Sequence, residues 1–326
     1  MRLSVVICTW NRAESLQKTL ESIEDSRLPK GTDWEVLIVD NNSTDATSAV
    51  CQSFLQRNPE RYRYLLEKRQ GKSFALNTAV ENTRGDIIAF TDDDVLVGAD
   101  WLFALLVALD EYDCVGVAGR IVPVWNSPKP PWFTADGPYR LMLAIVEYDL
   151  GDQTQPCRIE NPPYGANLAL RKNVFDKYGL FRTDLGPVAG TTFRGEDSEY
   201  CRRLMSRGKK LIYAPGAVVH HPVPEERTKK RYFESWYFDY GRMLVRTSGP
   251  STTRTSYFGV PRYMLRKLMT CVWQWNTSLE RKRRFYHKLQ VWQALGEITE
   301  YRNAFKERRV SEKNGKIPGR DEKNCQ

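Results

Sequence analysis

The sequence predicts an α/β fold, a mainly parallel, doubly wound sheet flanked by helices, with a C-terminal helical extension. Three observations carry that expectation. Short apolar runs alternate with longer stretches of helical spacing through the first half of the chain. Polar residues cluster where the apolar runs end. From Lys229 onward the pattern is nearly all helical. The 326 residues suffice for one large domain with an appendage, and 41% hydrophobic content supports a sizeable core.

The first strand is LSVVICTW (3–10), a continuous apolar run, followed by NRAESLQKTLESIEDS with Leu16, Leu20 and Ile23 at helical spacing. EVLIVDN (35–41) is a second buried strand, and STDATSAVCQSFLQR its helix, with Ser43, Thr44 and Asp45 as candidate caps. RYRYLLEK gives a third strand, KSFALNTAVENT a helix, DIIAFTD a fourth strand and DWLFALLVALDEY another helix. The middle third is less regular. VWNSPKPPWFTADGP (124–138) reads as an ordered loop or lid, YGANLALRKNVFDKYG as a small-residue turn before a helix near Lys172, and AVVHHPVPEER as the end of a strand. Helices follow on either side of a linker at 248–255, and residues 311–326 are polar enough to be disordered.

Ligands of such sheets bind beyond the carboxyl ends of strands, at a switch in strand order. The strand ends here are Thr9-Trp10-Asn11-Arg12, Asp40-Asn41-Asn42, Arg69-Gln70-Gly71-Lys72 and Asp92-Asp93-Asp94. No G-x-G-x-x-G follows the first strand and no G-x-x-x-x-G-K-[ST] occurs, which argues against dinucleotide and P-loop folds.

Three adjacent carboxylates raise one another's pKa unless a cation neutralises them. Mg²⁺ or Mn²⁺ suits oxygen ligands, and Mn²⁺ also accepts imidazole, so His220 or His221 could complete a site. The rival reading of the triplet is a loop cap. Asp40 suits an N–H or a ribose hydroxyl, or else a helix-entry turn. Arg69 and Lys72 suit phosphates, with Gly71 allowing close backbone approach. Glu196-Asp197 opens a helix, where a carboxylate serves either as a general base or as a cap.

The net charge of +9 is concentrated late, where RKLMTCVWQWNTSLERKRRFYHK and RNAFKERR interleave basic and aromatic residues. Residues 261–309 therefore suggest contact with an anionic membrane surface, motivated by Trp273, Trp275 and Trp292 with Arg281 to Arg284. A solvated face, packing on the rest of the chain, or a homo-oligomer contact are the alternatives. No nucleic-acid motif is present, so nucleic acid is not an expected partner. The N-terminus lacks a signal-peptide pattern, no run reaches the roughly 18 apolar residues of a membrane span, and seven scattered cysteines read as reduced thiols. Together these point to the cytoplasm, with peripheral attachment to its membrane face as an option.

As an ordered set, SVVICTWNRAESLQKTLESI, VLIVDNNSTDAT, EKRQGKSFALNTAVENTRGDIIAFTDDDV, YGANLALRKNVFDKYGLF and FRGEDSEYCRRLMSRGKKLIYAPGAVVHHP resemble family 2 glycosyltransferases of the GT-A fold. The resemblance covers residues 3–245. It implies a GT-A domain over 1–245, with a nucleotide-binding half (1–120) and an acceptor half (121–245), then a basic aromatic extension over 246–310. It further implies metal-dependent transfer, with inversion, from a nucleotide-diphosphate sugar, UDP-linked by family frequency, to a carbohydrate or lipid-linked acceptor hydroxyl in polysaccharide, exopolysaccharide or glycolipid synthesis. By position, Thr9, Asn11, Arg12, Asp40, Asn42, Gly71 and Lys72 would line the nucleotide site with Asp92 and Asp93. Asp94 would be the main ligand of Mn²⁺ or Mg²⁺, aided by Asp92 and by His221 or, failing it, His220. Asp197 would be the base, beside Glu196, with Asn167 and Trp132 at the donor sugar or acceptor. Processive members carry Q-x-x-R-W and spanning helices; this chain has RYFESWYFDYGR, so a single addition is expected. A sugar-phosphate nucleotidyltransferase or a non-catalytic nucleotide-sugar binder are the alternatives.

Overall fold

The computed structural model describes residues 2–141, 144–188, 191, 193–249 and 256–313. It divides into two compact units, one of residues 1–130 and 142–228, the other of 131–141 and 229–326.

The first unit runs β1 (Arg2–Thr9), α1 (Ala13–Glu24), β2 (Asp33–Asp40), α2 (Thr47–Arg57), β3 (Tyr62–Leu66), α3 (Lys72–Asn82), β4 (Ile87–Asp92), β5 (Leu96–Val97) and α4 (Trp101–Glu111). It continues with β6 (Gly116–Trp125), β7 (Gln155–Pro156), β8 (Asn167–Arg171), α5 (Asn173–Tyr178), α6 (Glu196–Ser206) and β9 (Leu211–Val223). One sheet gathers these strands in the order β3-β2-β1-β4-β8-β6-β9-β5, with β7 on β9. The β3-β2-β1-β4 half is parallel throughout. Beyond it the sheet is mixed, because β8 runs antiparallel between β4 and β6 and β5 runs antiparallel to β9.

Period-two alternation explains why the strands read as unbroken apolar runs. Val5 and Ile7 of β1, Val36 and Ile38 of β2, and Ile87 and Ala89 of β4 face a layer that takes in Leu16 and Leu20 of α1, Phe54 of α2 and Trp101 of α4. Their neighbours Val6, Leu37, Val39, Ile88 and Phe90 face the opposite layer, with Leu76 of α3, Phe175 of α5 and Tyr200 of α6. A parallel strand covered on both faces needs apolar side chains at every position.

The second unit holds α7 (Lys230–Ser248), a hairpin of β10 (Ser256–Tyr257) and β11 (Val260–Pro261), α8 (Arg262–Thr277) and α9 (Arg281–Lys313). Helices α7 and α9 approach through paired glycines. A Cβ on Gly296 would stand 1.9 Å from the Phe238 carbonyl oxygen, and one on Gly241 would stand 2.1 Å from that of Gln293. Glu300 of α9 accepts from Arg242 (3.0 Å) and Arg246 (2.6 Å) of α7, so part of the late basic charge is used inside this unit. Residues 229–245, expected with the catalytic part, lie in this second unit with residues 131–141. The expected linker at 248–255 falls for the most part outside the described residues. Helix α9 extends to Lys313, into the stretch expected to be disordered, and the remainder of that tail lies outside the described residues.

Candidate active site

Strand register brings the expected polar ends together. Thr9 pairs with Asp40 across β1–β2, and Cys8 pairs with Asp92 across β1–β4. These residues therefore end at one edge, at the point where strand order switches from β1 to β4. On the other flank Thr91 pairs with Asn167, which carries the turn containing Gly165 to the same edge. Strand β9 reaches it as well, with His220 opposite Leu96 of β5 just beyond the aspartate triplet.

The three aspartates separate in role. Asp94 receives the guanidinium of Arg12 on its Oδ2, with Arg227 Nη2 at 3.6 Å from the same atom. Burial opposes ionisation there, yet His221, Arg12 and Arg227 hold the Asp94 carboxyl well below the usual range. Asp92 is engaged at Oδ1 by the Lys72 ammonium. Burial and the Asp94 charge oppose ionisation, and Lys72 together with His221 outweighs them, so the Asp92 carboxyl is also depressed. Asp93 takes the third position. Burial and the charges of Asp94 and Asp92 push it up to about 6 against the opposing Arg12, whose Nη1 donates to Asp93 Oδ1 at 3.1 Å.

With Oδ2 of Asp94 and Oδ1 of Asp92 so committed, their remaining oxygens face His221. Its Nε2 lies 3.7 Å from Asp94 Oδ1 and 4.0 Å from Asp92 Oδ2. These gaps are too long for hydrogen bonds. They match atoms sharing one ion, since ligands about 2.1 Å from a metal stand roughly 3–4.2 Å apart. His221 Nδ1 lies 3.2 Å from the Pro222 carbonyl, to which it donates, and this leaves the Nε2 lone pair turned to the carboxylates. Burial lowers the His221 pKa, which favours the neutral ligand form. Asp92, Asp94 and His221 thus fit a divalent cation, and the two-oxygen, one-nitrogen donor set admits Mn²⁺ more readily than Mg²⁺.

His220 does not join them. Along β9, Ala217, Val219, His221 and Val223 are buried and His220 is exposed, because successive side chains point to opposite faces.

Beside the aspartates, Lys72, Asp92, Glu196 and Asp197 line one cleft. Burial lowers the Lys72 pKa, but Asp92, Glu196 and Asp197 more than reverse this and keep it cationic. Its Nζ lies 3.9 Å from Glu196 Oε1, while the buried Oε2 of Glu196 has no hydrogen-bond partner among the described residues. Burial, reinforced by Asp197, pushes Glu196 up to about 7. Asp197 is aimed by two backbone donors, Gly165 N–H to Oδ2 and Ser198 N–H to Oδ1, both at 2.6 Å.

Other expected positions are bound up in the scaffold. Asp40 is buried, with Ser43 N–H donating to Oδ1 at 2.8 Å and the Tyr64 hydroxyl to Oδ2 at 2.9 Å. Asn11, at φ 51°, ties the first strand end to the second by accepting from Thr44 N–H at 2.7 Å. Asn42 is exposed and left-handed, at φ 66°. Thr9 is buried beside Asp93. Gly71, at φ 131°, donates its N–H to Asn41 Oδ1 at 2.8 Å.

One expectation needs correction. Asn167, expected at the donor sugar or acceptor, is buried and fully engaged. Its Nδ2 donates to the carbonyls of Arg120 (2.9 Å) and Ala217 (2.8 Å), and its Oδ1 accepts from Trp101 Nε1 (2.8 Å). It fastens β8 to β6, β9 and α4. Trp132 belongs to the second unit, where its ring meets Phe233 and Phe285 edge-on at 5.2 and 4.9 Å between centroids.

Sequence reasoning gave no role to Arg227, Gly165 or Asn41. Arg227 lies in a 3-10 turn (Glu225–Thr228) after β9, and nothing in VPEERT distinguishes it from the solvated charges around it. Asn41 accepts from Gly71 and donates to the carbonyls of Glu67 (3.0 Å) and Arg69 (2.7 Å), shaping the loop that carries Lys72.

Comparison with known proteins places the chain in a family. The family described as Glycosyl transferase family 2 matches residues 4–179. The Succinoglycan biosynthesis protein ExoM of Rhizobium meliloti is 27% identical over 251 residues, 75% of this chain and 76% of that protein. The Glucosyl-dolichyl phosphate glucuronosyltransferase of Haloferax volcanii is 26% identical over 251 residues, covering 75% and 77%. Among solved structures, the mannosyltransferase PcManGT of Pyrobaculum calidifontis, in complex with GDP-Man and Mn²⁺, superposes with a TM-score of 0.54 at 19% identity, over 93% of this chain and 74% of that one. S. aureus TarS 1-349 in complex with UDP-GlcNAc gives 0.55 at 16% identity, over 95% and 92%. The chain belongs to glycosyl transferase family 2. It is a glycosyltransferase with the GT-A fold.

Proposed function

We propose that this enzyme moves one sugar from a nucleotide-diphosphate sugar to an acceptor hydroxyl, with inversion, during synthesis of a polysaccharide or glycolipid. The observation that carries this reading is the convergence of Asp92, Asp94 and His221 from separate chain segments onto the edge that also holds Lys72 and Asp197. The relatives named for succinoglycan biosynthesis and for a glucosyl-dolichyl phosphate acceptor support a carbohydrate or lipid-linked acceptor. The neighbours holding GDP-Man and UDP-GlcNAc support a nucleotide-sugar donor.

In this reading Asp92, Asp94 and His221 would hold Mn²⁺ or Mg²⁺, which would supply positive charge beside the diphosphate. Arg12, Arg227 and Lys72 add fixed cations on the same side and need no reorganisation as charge develops. Asp197, aimed by Gly165 and Ser198, accepts the proton of the acceptor hydroxyl. The hydroxyl oxygen bonds to the anomeric carbon from the opposite face as the carbon–oxygen bond to diphosphate breaks and its electron pair leaves with the nucleotide. Glu196 is the neighbouring acid that balances Lys72. Thr9, Asn11, Asn42 and Gly71 shape the nucleotide side of the edge, with Asp40 braced beneath it.

A thermal-shift screen of nucleotide sugars with Mn²⁺ and Mg²⁺, followed by assay of the released product, tests this. Stabilisation by one donor together with metal, and release of nucleoside diphosphate, is expected. Release of pyrophosphate, or binding without turnover in the presence of acceptor extracts, would overturn it.

A further inference from the structure

Helix α8 leaves one face without a partner among the described residues. The helix buries Met264 and Cys271. On its other side Leu265, Met269, Val272 and Trp273 recur at three- and four-residue steps, with Met269 72% and Trp273 66% exposed. Arg262 and Arg266 extend the same stripe and are exposed.

The chain on either side of α8 continues this character. The hairpin before it turns through Phe258 and Gly259 at φ 50° and 83°. Left-handed pairs of this kind favour Asn and Gly, yet an aromatic holds the tip, 81% exposed. The tip is fixed in place, since a Cβ on Gly259 would fall 2.3 Å from that of Phe305 on α9. After α8, Leu279 is 99% exposed and is followed by the exposed run Arg281, Lys282, Arg283 and Arg284.

Charge identifies the occupant. Residues 262–284 carry seven Arg or Lys and one acid, Glu280, and α8 itself carries no acid. Lys267 is tied to Glu297 at 2.7 Å, while the other six stay exposed. A second copy would place basic residues against basic residues across a two-fold contact. Anionic headgroups meet the guanidiniums, and the apolar stripe with its Trp suits the boundary between headgroup and acyl chain. No helix among the described residues is long and apolar enough to cross a membrane, so such contact lies in the plane of the surface. Of the three tryptophans that suggested this in the sequence, only Trp273 belongs to the exposed stripe. Trp292 packs edge-on against Phe238, and Trp275 is half-buried under Lys288.

We infer that α8, the Phe258 hairpin tip and the basic run 281–284 form a docking surface for anionic phospholipid. The full chain is mixed with vesicles of phosphatidylglycerol and phosphatidylcholine, or of phosphatidylcholine alone, and sedimented. Binding at least tenfold tighter to the anionic vesicles and weakened by salt is expected. Met269→Glu with Trp273→Glu should reduce it at least tenfold, and Phe258→Asn, which keeps the turn, should also weaken it. Circular dichroism and release of nucleoside diphosphate in solution serve as controls and should not change, so failure here is distinct from failure of the donor reading. Absence of binding to anionic vesicles, binding indifferent to these substitutions, or a dimer in solution that the double variant dissolves would overturn the inference.

Discussion

His221 turns its Nε2 to Asp94 Oδ1 at 3.7 Å while its Nδ1 is held by the Pro222 carbonyl. The pair links β9 to the turn after β4, two segments far apart in sequence. Each side chain keeps one polar atom for a structural partner and leaves the other directed at its neighbour. That division sets what removal of each residue should do.

His221→Ala should weaken Mn²⁺ binding at least tenfold, a loss no smaller than those seen when supporting groups around a metal are removed. His220→Ala should leave binding unchanged, because its side chain projects from the other face of β9. Isothermal titration with Mn²⁺ distinguishes the two, and equal effects would show that both rings reach the site.

Glu196 makes stability depend on pH. Its pKa is raised by folding, so the contribution is fully present below the ordinary value near 4.5 and is lost as pH rises towards about 7. Glu196→Gln, which keeps the neutral shape, should flatten that decline. Urea unfolding from pH 4.5 to 8 in EDTA measures it, and parallel curves for the two proteins would contradict the assignment.

Gly296 lets α7 and α9 touch. Gly296→Ala drives a methyl into the Phe238 carbonyl and should cost on the order of 3 kcal/mol. Gly216→Ala, whose methyl would meet nothing nearer than 3.5 Å, should leave the melting temperature almost unchanged. Calorimetry of both variants checks the contrast.

Asn167→Leu should destabilise the protein through its three orphaned partners, the Trp101 N–H and the carbonyls of Arg120 and Ala217, at roughly 1–3 kcal/mol each. If Asn167 instead served the sugar, the loss would appear in kcat/KM with an unchanged melting temperature.

Much of the first unit was legible because its physics is local. Strands covered on both faces read as unbroken apolar runs, and parallel pairing places their polar ends at one edge. The choice between His220 and His221 was also open to reading, since Ala217, Val219, His221 and Val223 alternate as one buried face. Other features depend on which segments meet in space. VPEERT gives no sign that Arg227 turns back to Asp94. Nor does GAN reveal that Asn167 is consumed by three long-range bonds. The contact between Gly241, Gly296 and the facing backbones depends on α7 lying along α9, and neither helix shows that alone. Nor does the Pro-rich loop around Trp132 show that its ring meets Phe233 of α7 and Phe285 of α9.

The most direct test concerns Asp197. Release of nucleoside diphosphate from the donor that stabilises the enzyme is compared between wild type and Asp197→Asn, with donor and Mn²⁺ binding measured on both. The account predicts a loss of roughly 100-fold or more in turnover, the scale of a missing general base, with both binding constants within a few-fold of wild type. Wild-type turnover by Asp197→Asn, with binding intact, would contradict it.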